Sequence, residues 1–443
     1  MQKRQTILGS HHRWHLLPSV IFAAVMVSLL SACGTANTGG GSITTPTATQ
    51  TPTQTLANLS VYDTADSGIL RALKADTGQL RWHGQTGQLA GGQPVVENGI
   101  VYAGSSNIVY AFKASDGTLL WSAQGYNPHT GPLVADGKVF VDYYMNEPGG
   151  SVTISVAALK GTDGSQLWSK QVVTHSTLAP PTPGTFGQLV VNGVFYTAVL
   201  TDRFLLNAFN ANNGKLLWHS SSTSAQGEYA TLFVENGVVF AYVDRLYAYK
   251  ASDGTLVWQS QGASQPLSGP NGTYSDLLIT QGSAYADTND GLTAYSTDNG
   301  SQLWHVLVDS SLGQFMEITL ANGVIYATQA DGASALDAHT GKRLWSYKAN
   351  RQFSGFLAPL TNSDTLYISN FMSGLTALDI HTGKLRWQAQ VGGNGIRPTL
   401  IAGTLFVGSG DGVIAAIRAS DGKALWRFPT NGGMSFPSAL IVA

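Results

Sequence analysis

The sequence predicts an all-β propeller of nine four-stranded antiparallel blades, its ring closed by a strand from the C-terminus. Three observations carry this. An eleven-residue pattern with Ala first, Gly seventh and Trp last begins at Ala72, Ala111, Ala158, Ala208, Ala248, Ala294, Ala335, Ala377 and Ala416. Its tryptophans, Trp82, Trp121, Trp168, Trp218, Trp258, Trp304, Trp345, Trp387 and Trp426, lie 39 to 50 residues apart, the span of one blade, and leave only Trp14 outside the pattern. Composition agrees: 11% charged residues, 43% hydrophobic residues and 51 glycines suit short strands and tight turns, not amphipathic helices.

The chain begins with something other than the ring. Lys3, Arg4 and Arg13 precede a largely apolar run from Leu16 to Leu30, shorter than the roughly 20 residues of a membrane-spanning helix. The run ends in Leu30-Ser31-Ala32-Cys33, so residues 1–32 read as a lipoprotein signal peptide and Cys33, the sole cysteine, as the acylated new N-terminus. With one Cys, no internal disulfide forms. From Gly34 to Leu56 there is no charged or aromatic side chain, so residues 33–57 form a flexible Thr/Pro/Gly-rich tether that cannot bury enough apolar surface to offset its ordering entropy. Residues 58–443 are the propeller. The expectation is a monomeric, exported body, lipid-anchored to a membrane on its extracytoplasmic side.

Without Lys3, Arg4 and Arg13, 21 basic residues face 26 acidic ones, a net charge of −5. Such a body has no electrostatic footprint for nucleic acid.

Blade order is clearest in the second unit. Gln93 to Val96 is a first strand, Asn98-Gly99 a turn, Ile100 to Gly104 a second strand, Ile108 to Lys113 a third, Asp116-Gly117 a turn and Thr118 to Ser122 a fourth. Asn-Gly and Asp-Gly suit two-residue hairpin turns in which both central residues have positive φ. The first turn recurs at Asp136-Gly137, Asn192-Gly193, Asn236-Gly237 and Asn322-Gly323. The last recurs at Asp163-Gly164, Asn213-Gly214, Asp253-Gly254, Asn299-Gly300 and Asp421-Gly422. The body starts directly with a second-type strand near Leu59, and Phe436 to Val442 is left over as a first-type strand, so the two ends complete one shared blade. Each Trp wedges against the neighbouring blade and is therefore structural.

The pattern is similar to the tryptophan-docking repeat of the pyrroloquinoline quinone-like β-propellers over about residues 59–443. That resemblance covers quinoprotein dehydrogenases and also the propeller lipoprotein of the bacterial outer-membrane protein assembly machinery, which binds no quinone. Its usual Asp or Asn at the third pattern position is kept at Asn210, Asp337 and Asp379 and replaced by Lys74, Lys113 and Arg418 elsewhere. Seven or eight blades are usual in the family, so the alternative to nine is eight, with one terminal copy outside the ring.

What the resemblance implies for chemistry is divided. Its dehydrogenases use adjacent cysteines beside the quinone and a calcium held by acidic and amide side chains. Cys33 alone cannot supply that pair, although related sugar dehydrogenases lack it too. No cofactor, metal or catalytic residue is expected, and the leading reading is a binding or scaffolding module for protein partners at the cell envelope, with envelope protein assembly the role that the resemblance suggests. The alternatives are a pyrroloquinoline quinone and calcium-dependent dehydrogenase and a cell-surface carbohydrate-binding propeller.

Histidines offer little. His83, His219 and His305 follow a docking Trp, and His339 and His381 sit in last turns. Asp287 to Gly291 is one residue short of a calcium-loop spacing and reads as a middle hairpin turn. Gly408 to Gly412 precedes no helix and cradles no phosphate. Strand direction places first and last turns on one face, and middle turns and blade connections on the other, where length varies: an insertion at Tyr143–Ser151 and long connections at Ser169–Gly184 and Gln259–Gly272. His129, His175, Glu228, Arg351 and Arg397 fall near the entry to the inner strands on that face and form the candidate binding face.

Overall fold

The computed structural model describes residues 55–443, apart from 66–67, 88–92, 106, 127–131, 147–151, 176–185, 201–202, 223–229, 244, 262–276, 281, 289–290, 308, 310, 313–314, 350–355, 371–373, 393–397 and 431–439. These residues form nine four-stranded antiparallel sheets, and in eight of them the strands follow chain order. Blade 2, for example, is built from Val95–Glu97, Ile100–Gly104, Ile108–Lys113 and Leu119–Gln124. The ninth sheet, blade 1, combines Ser60–Ala65, Ile69–Lys74 and Leu80–Gln85 with the C-terminal Ile441–Val442. Tyr62 pairs with Ile441 and Val61 with Val442, closing the ring. The count of nine therefore stands, against the eight that the resemblance favours.

Burial falls off from the middle of each blade outward. Second and third strands are almost fully buried, as in Ile100–Gly104, whereas fourth strands such as Leu119–Gln124 expose every second residue or more. First strands of blades 2 to 8 touch in succession and that of blade 9 touches the closing strand, so these strands line the axis.

First turns are as expected: Asn98 and Gly99 have φ of 51° and 76°, and Asp136, Asn192, Asn236 and Asn322 repeat the pair of positive φ values with the glycine that follows. Last turns differ from expectation. Gly117 has φ 73°, but Asp116 is not in the left-handed region. The turn is longer: Gly117 N–H donates to the Lys113 carbonyl at 2.9 Å, Lys113 N–H to the Thr118 carbonyl at 2.8 Å, and the register shifts between Ala111 and Phe112. The bulge lets the glycine alone carry the left-handed conformation, because Asp116 turns its carboxylate inward to accept the Thr118 N–H at 3.0 Å.

In six of the nine turns an acid occupies one of two positions. In three turns the third pattern position is Lys or Arg, the sixth is Asp and the two pair: Lys113 with Asp116 at 2.8 Å, Lys160 with Asp163 at 2.7 Å, Arg418 with Asp421 at 3.0 Å. Where the third is Asp, the sixth is Thr: Asp337 Oδ1 accepts the Thr340 N–H at 2.8 Å and Asp379 Oδ1 accepts the Thr382 N–H at 3.0 Å. The departures at Lys113 and Arg418 thus relocate the carboxylate within the same turn.

Candidate binding surface

The repeated residues are used up by architecture. All nine indoles donate to a main-chain carbonyl of the next blade, from Trp82 to Ala114 at 2.8 Å round to Trp426 and Ala75 at 2.9 Å. Each ring lies on the left-handed glycine of that blade: a Cβ on Gly117 would sit 2.6 Å from the Trp82 ring, and one on Gly254 2.4 Å from Trp218. The seventh-position glycine therefore turns the chain and also offers a flat seat. A second aromatic, not recognised from the sequence, completes the joint. Tyr62, Tyr102, Tyr285 and Tyr367 stand at 5.8 to 6.1 Å from the tryptophan of their own blade. Tyr102 and Trp121 donate to the same Gly161 carbonyl, at 3.2 and 2.8 Å. The signal was present, since an aromatic follows the first-turn glycine by three residues at Tyr102, Phe140, Tyr196, Phe240 and Tyr326.

Of the five residues proposed for the binding face, His129, Glu228, Arg351 and Arg397 lie outside the described residues, as does Cys33. His175 is not in a connection. It ends the fourth strand of blade 3, Gln166–His175, where its backbone pairs with Val152. Of the expected insertion at Tyr143–Ser151, residues 143–146 are strand and 147–151 lie outside the described residues, and the start of the connection at Ser169 is strand too: Lys138–Asn146, Val152–Lys160 and Gln166–His175 have 9, 9 and 10 residues, whereas other fourth strands have 4 to 6. Blade 3 is taller than its neighbours on the connection face because the β-branched residues Val152, Thr153, Ile154, Val172, Val173 and Thr174 continue the ladder past the ring. Ile154, Val172 and Val173 of this extension pack with Val199 and Leu205 of blade 4.

The other segments singled out are turns. Thr288 pairs with Gly291, so Asp287 to Gly291 closes a hairpin, and the Gly412 N–H donates to the Ser409 carbonyl at 2.9 Å in the middle turn of blade 9.

Two buried acids mark two seams. At the closure seam Asp63 and Arg71 pair at 2.9 Å, with side chains 2% and 6% exposed, and Arg71 also donates to the Thr430 carbonyl of blade 9 at 2.8 Å. Between blades 3 and 4 lies Asp142, 2% exposed, whose Oδ1 accepts from Gln188 Nε2 at 3.2 Å. Burial pushes its carboxyl up to about 7. On the rim, a cleft of about 290 Å³ opens between blades 4 and 5, lined by Ser220, Ser221, Ser222, Arg245 and Tyr247 among others. Neighbouring rim grooves are bridged: Tyr126 donates to Gln166 Oε1 at 2.8 Å, Arg343 pairs with Asp309 at 2.5 Å and Arg427 donates to the Gln390 carbonyl at 2.7 Å.

A closed ring whose tryptophans lock blade to blade defines a repeat-built β-propeller. The chain belongs to the family described as outer membrane protein assembly factor BamB, whose model matches residues 65–198 and 202–428. It is similar to the outer membrane protein assembly factor BamB of Moranella endobia (strain PCIT), with 25% identity over 281 residues, 57% of this chain and 66% of that protein. It is also similar to the quinoprotein alcohol dehydrogenase PedH of Pseudomonas putida, 26% identical over 251 residues, 50% of this chain and 39% of that one. The chain thus spans less than two thirds of either relative. Among solved structures, the dihydro-heme d1 dehydrogenase NirN in complex with DHE matches 87% of this chain and 75% of its own at a TM-score of 0.53 and 12% identity, a likeness of fold alone.

Proposed function

We propose that this chain is a non-catalytic scaffold of the cell envelope that binds protein partners during outer-membrane protein assembly, tethered to a membrane through lipidated Cys33. The observation that carries the reading is the match of the assembly-factor family model over most of the propeller. Structure supports it by subtraction. All nine indole N–H groups of the ring are committed to neighbouring carbonyls, so the repeated aromatics are not offered to a ligand. What remains for recognition is the connection face, with the tall blade 3 and the segments that carry His129, Glu228, Arg351 and Arg397. No described helix is long and apolar enough to cross a membrane.

The similarity to PedH favours a second reading, a quinone- and calcium-dependent dehydrogenase. Among the described residues no three His, Cys, Asp or Glu side chains are grouped to hold a metal ion, and each described tryptophan is docked; titration with the quinone and calcium decides between the two readings.

The experiment that tests the scaffold reading is affinity purification of the full chain from native membranes, followed by measurement of partner affinity. Arg351→Ala with Arg397→Ala weakens a partner's binding tenfold or more if the connection face reads it. Unchanged affinity for every identified partner contradicts this assignment. Cys33→Ser releases the protein from the membrane fraction; retention there contradicts the anchor.

A further inference from the structure

The two buried aspartates of the ring are treated in opposite ways. Asp63 faces the Arg71 guanidinium, which in turn holds the Thr430 carbonyl across the closure seam, so its charge is matched inside the protein. Asp142 has no such partner. It sits in the second strand of blade 3, Lys138–Asn146, opposite Val156 of the third strand. Its Oδ1 accepts from Gln188 Nε2 in the first strand of blade 4, Phe186–Val191, its own main-chain N–H also favours the ionised form, and its Oδ2 accepts no hydrogen bond. From its own strand the titratable neighbour is Tyr144, whose phenol is itself pushed up by burial and by Asp142. Desolvation is the largest influence on Asp142 and no Lys, Arg or His is among the others.

An ionised carboxylate with an unmatched oxygen at 2% exposure is costly, and a carboxylic acid at the same place is much less so. Phe140, Trp168, Phe195 and Phe209 pack on one side of Asp142 along the strand and Ile154, Val199 and Leu205 on the other. Buried Thr197 and Asn207 continue the row of Gln188 across blade 4 to His219, and Lys170 lies across Val156 from Asp142. With the seam closed, water scarcely reaches the carboxylate. The extended hairpin of blade 3 rises from the same strand, four residues beyond Asp142 at Asn146.

We propose that the seam between blades 3 and 4 is a proton-controlled joint: Asp142 carries a proton while the seam is closed, and its loss opens the seam and frees the extended blade 3 hairpin. The sign follows from the chemistry. The folded carboxyl titrates above its ordinary range, so the closed seam is fully stable in acid and weakens as pH rises through about 7. An exported protein meets the pH of its surroundings, and this joint would couple that pH to the shape of the connection face.

Hydrogen exchange of the full chain at pH 5.5 and 8.0, with times rescaled for intrinsic amide rates, tests the joint. Amides of residues 138–146 and 186–191 lose protection at least tenfold at the higher pH relative to those of blade 7, and Asp142→Asn removes the difference. Gln188→Ala provides an independent arm. It deletes the side-chain donor that favours the ionised form, so the midpoint of the response moves to higher pH. An equal pH response in wild type and Asp142→Asn, no response in wild type, or an unmoved or lowered midpoint in Gln188→Ala overturns the proposal.

Discussion

The indole of Trp426 donates to the carbonyl of Ala75 at 2.9 Å although 351 positions separate them in the chain. This bond is the ninth of a set and joins the last blade to the first. Trp426→Phe keeps an aromatic ring on Gly78 and loses the hydrogen bond, a cost of about 1 kcal/mol. Trp426→Ala also empties the joint and costs about 3–5 kcal/mol. Denaturant unfolding of both variants checks the order, and equal losses would show that the ring surface contributes nothing.

Gly99 and Gly117 separate two demands on glycine. Both are left-handed, at φ 76° and 73°, but a Cβ on Gly99 meets nothing within 4 Å while one on Gly117 meets the Trp82 ring at 2.6 Å. Gly99→Ala loses about 1 kcal/mol for conformation alone. Gly117→Ala loses more, because Trp82 must also leave its seat. Thermal melts of the pair give the difference directly.

Ala402 occupies a first-turn position with φ 47°, where five other blades place Asn or Asp. Ala402→Asn relieves an unfavourable left-handed alanine and stabilises the protein by about 1 kcal/mol. A lowered melting temperature would contradict the turn assignment.

Breaking the closure seam is severe. Arg71→Met leaves Asp63 buried without its cation and costs about 3–5 kcal/mol, whereas Arg71→Met with Asp63→Leu recovers most of it. A double variant no better than the single would show that the ion pair is not coupled.

Acid acts on the last turns. The Asp116, Asp163, Asp337 and Asp379 carboxyls are held below the ordinary carboxylate range, first by hydrogen bonds from Lys113, Lys160, Thr340 and Arg386 respectively. Each contributes stability that is present above about pH 4 and is lost as pH falls through its lower folded value. Melting temperature therefore drops below pH 4, and less so in Asp337→Asn than in wild type.

The ring was legible because its constraints recur. Glycine at position seven and tryptophan at eleven have one physical solution each, and nine copies make that solution visible. The length of the last turn was misread because Asp116-Gly117 has the composition of a two-residue hairpin, and only the register at Ala111 and Phe112 reveals the bulge. His175 was misplaced for a related reason: Val172, Val173 and Thr174 prolong a strand that ends earlier in every other blade. Asp142 carries no sequence signal beyond an acid inside the run Lys138 to Met145, because its significance lies in facing Gln188 across a seam. Recognition residues do not repeat, so periodicity cannot find them.

Titrating purified protein with pyrroloquinoline quinone and calcium, followed by absorbance, tests most directly whether this propeller is a scaffold. The account predicts an unperturbed quinone spectrum at equimolar protein and no reduction on adding alcohols or sugars. Tight stoichiometric binding with substrate-dependent reduction would contradict it.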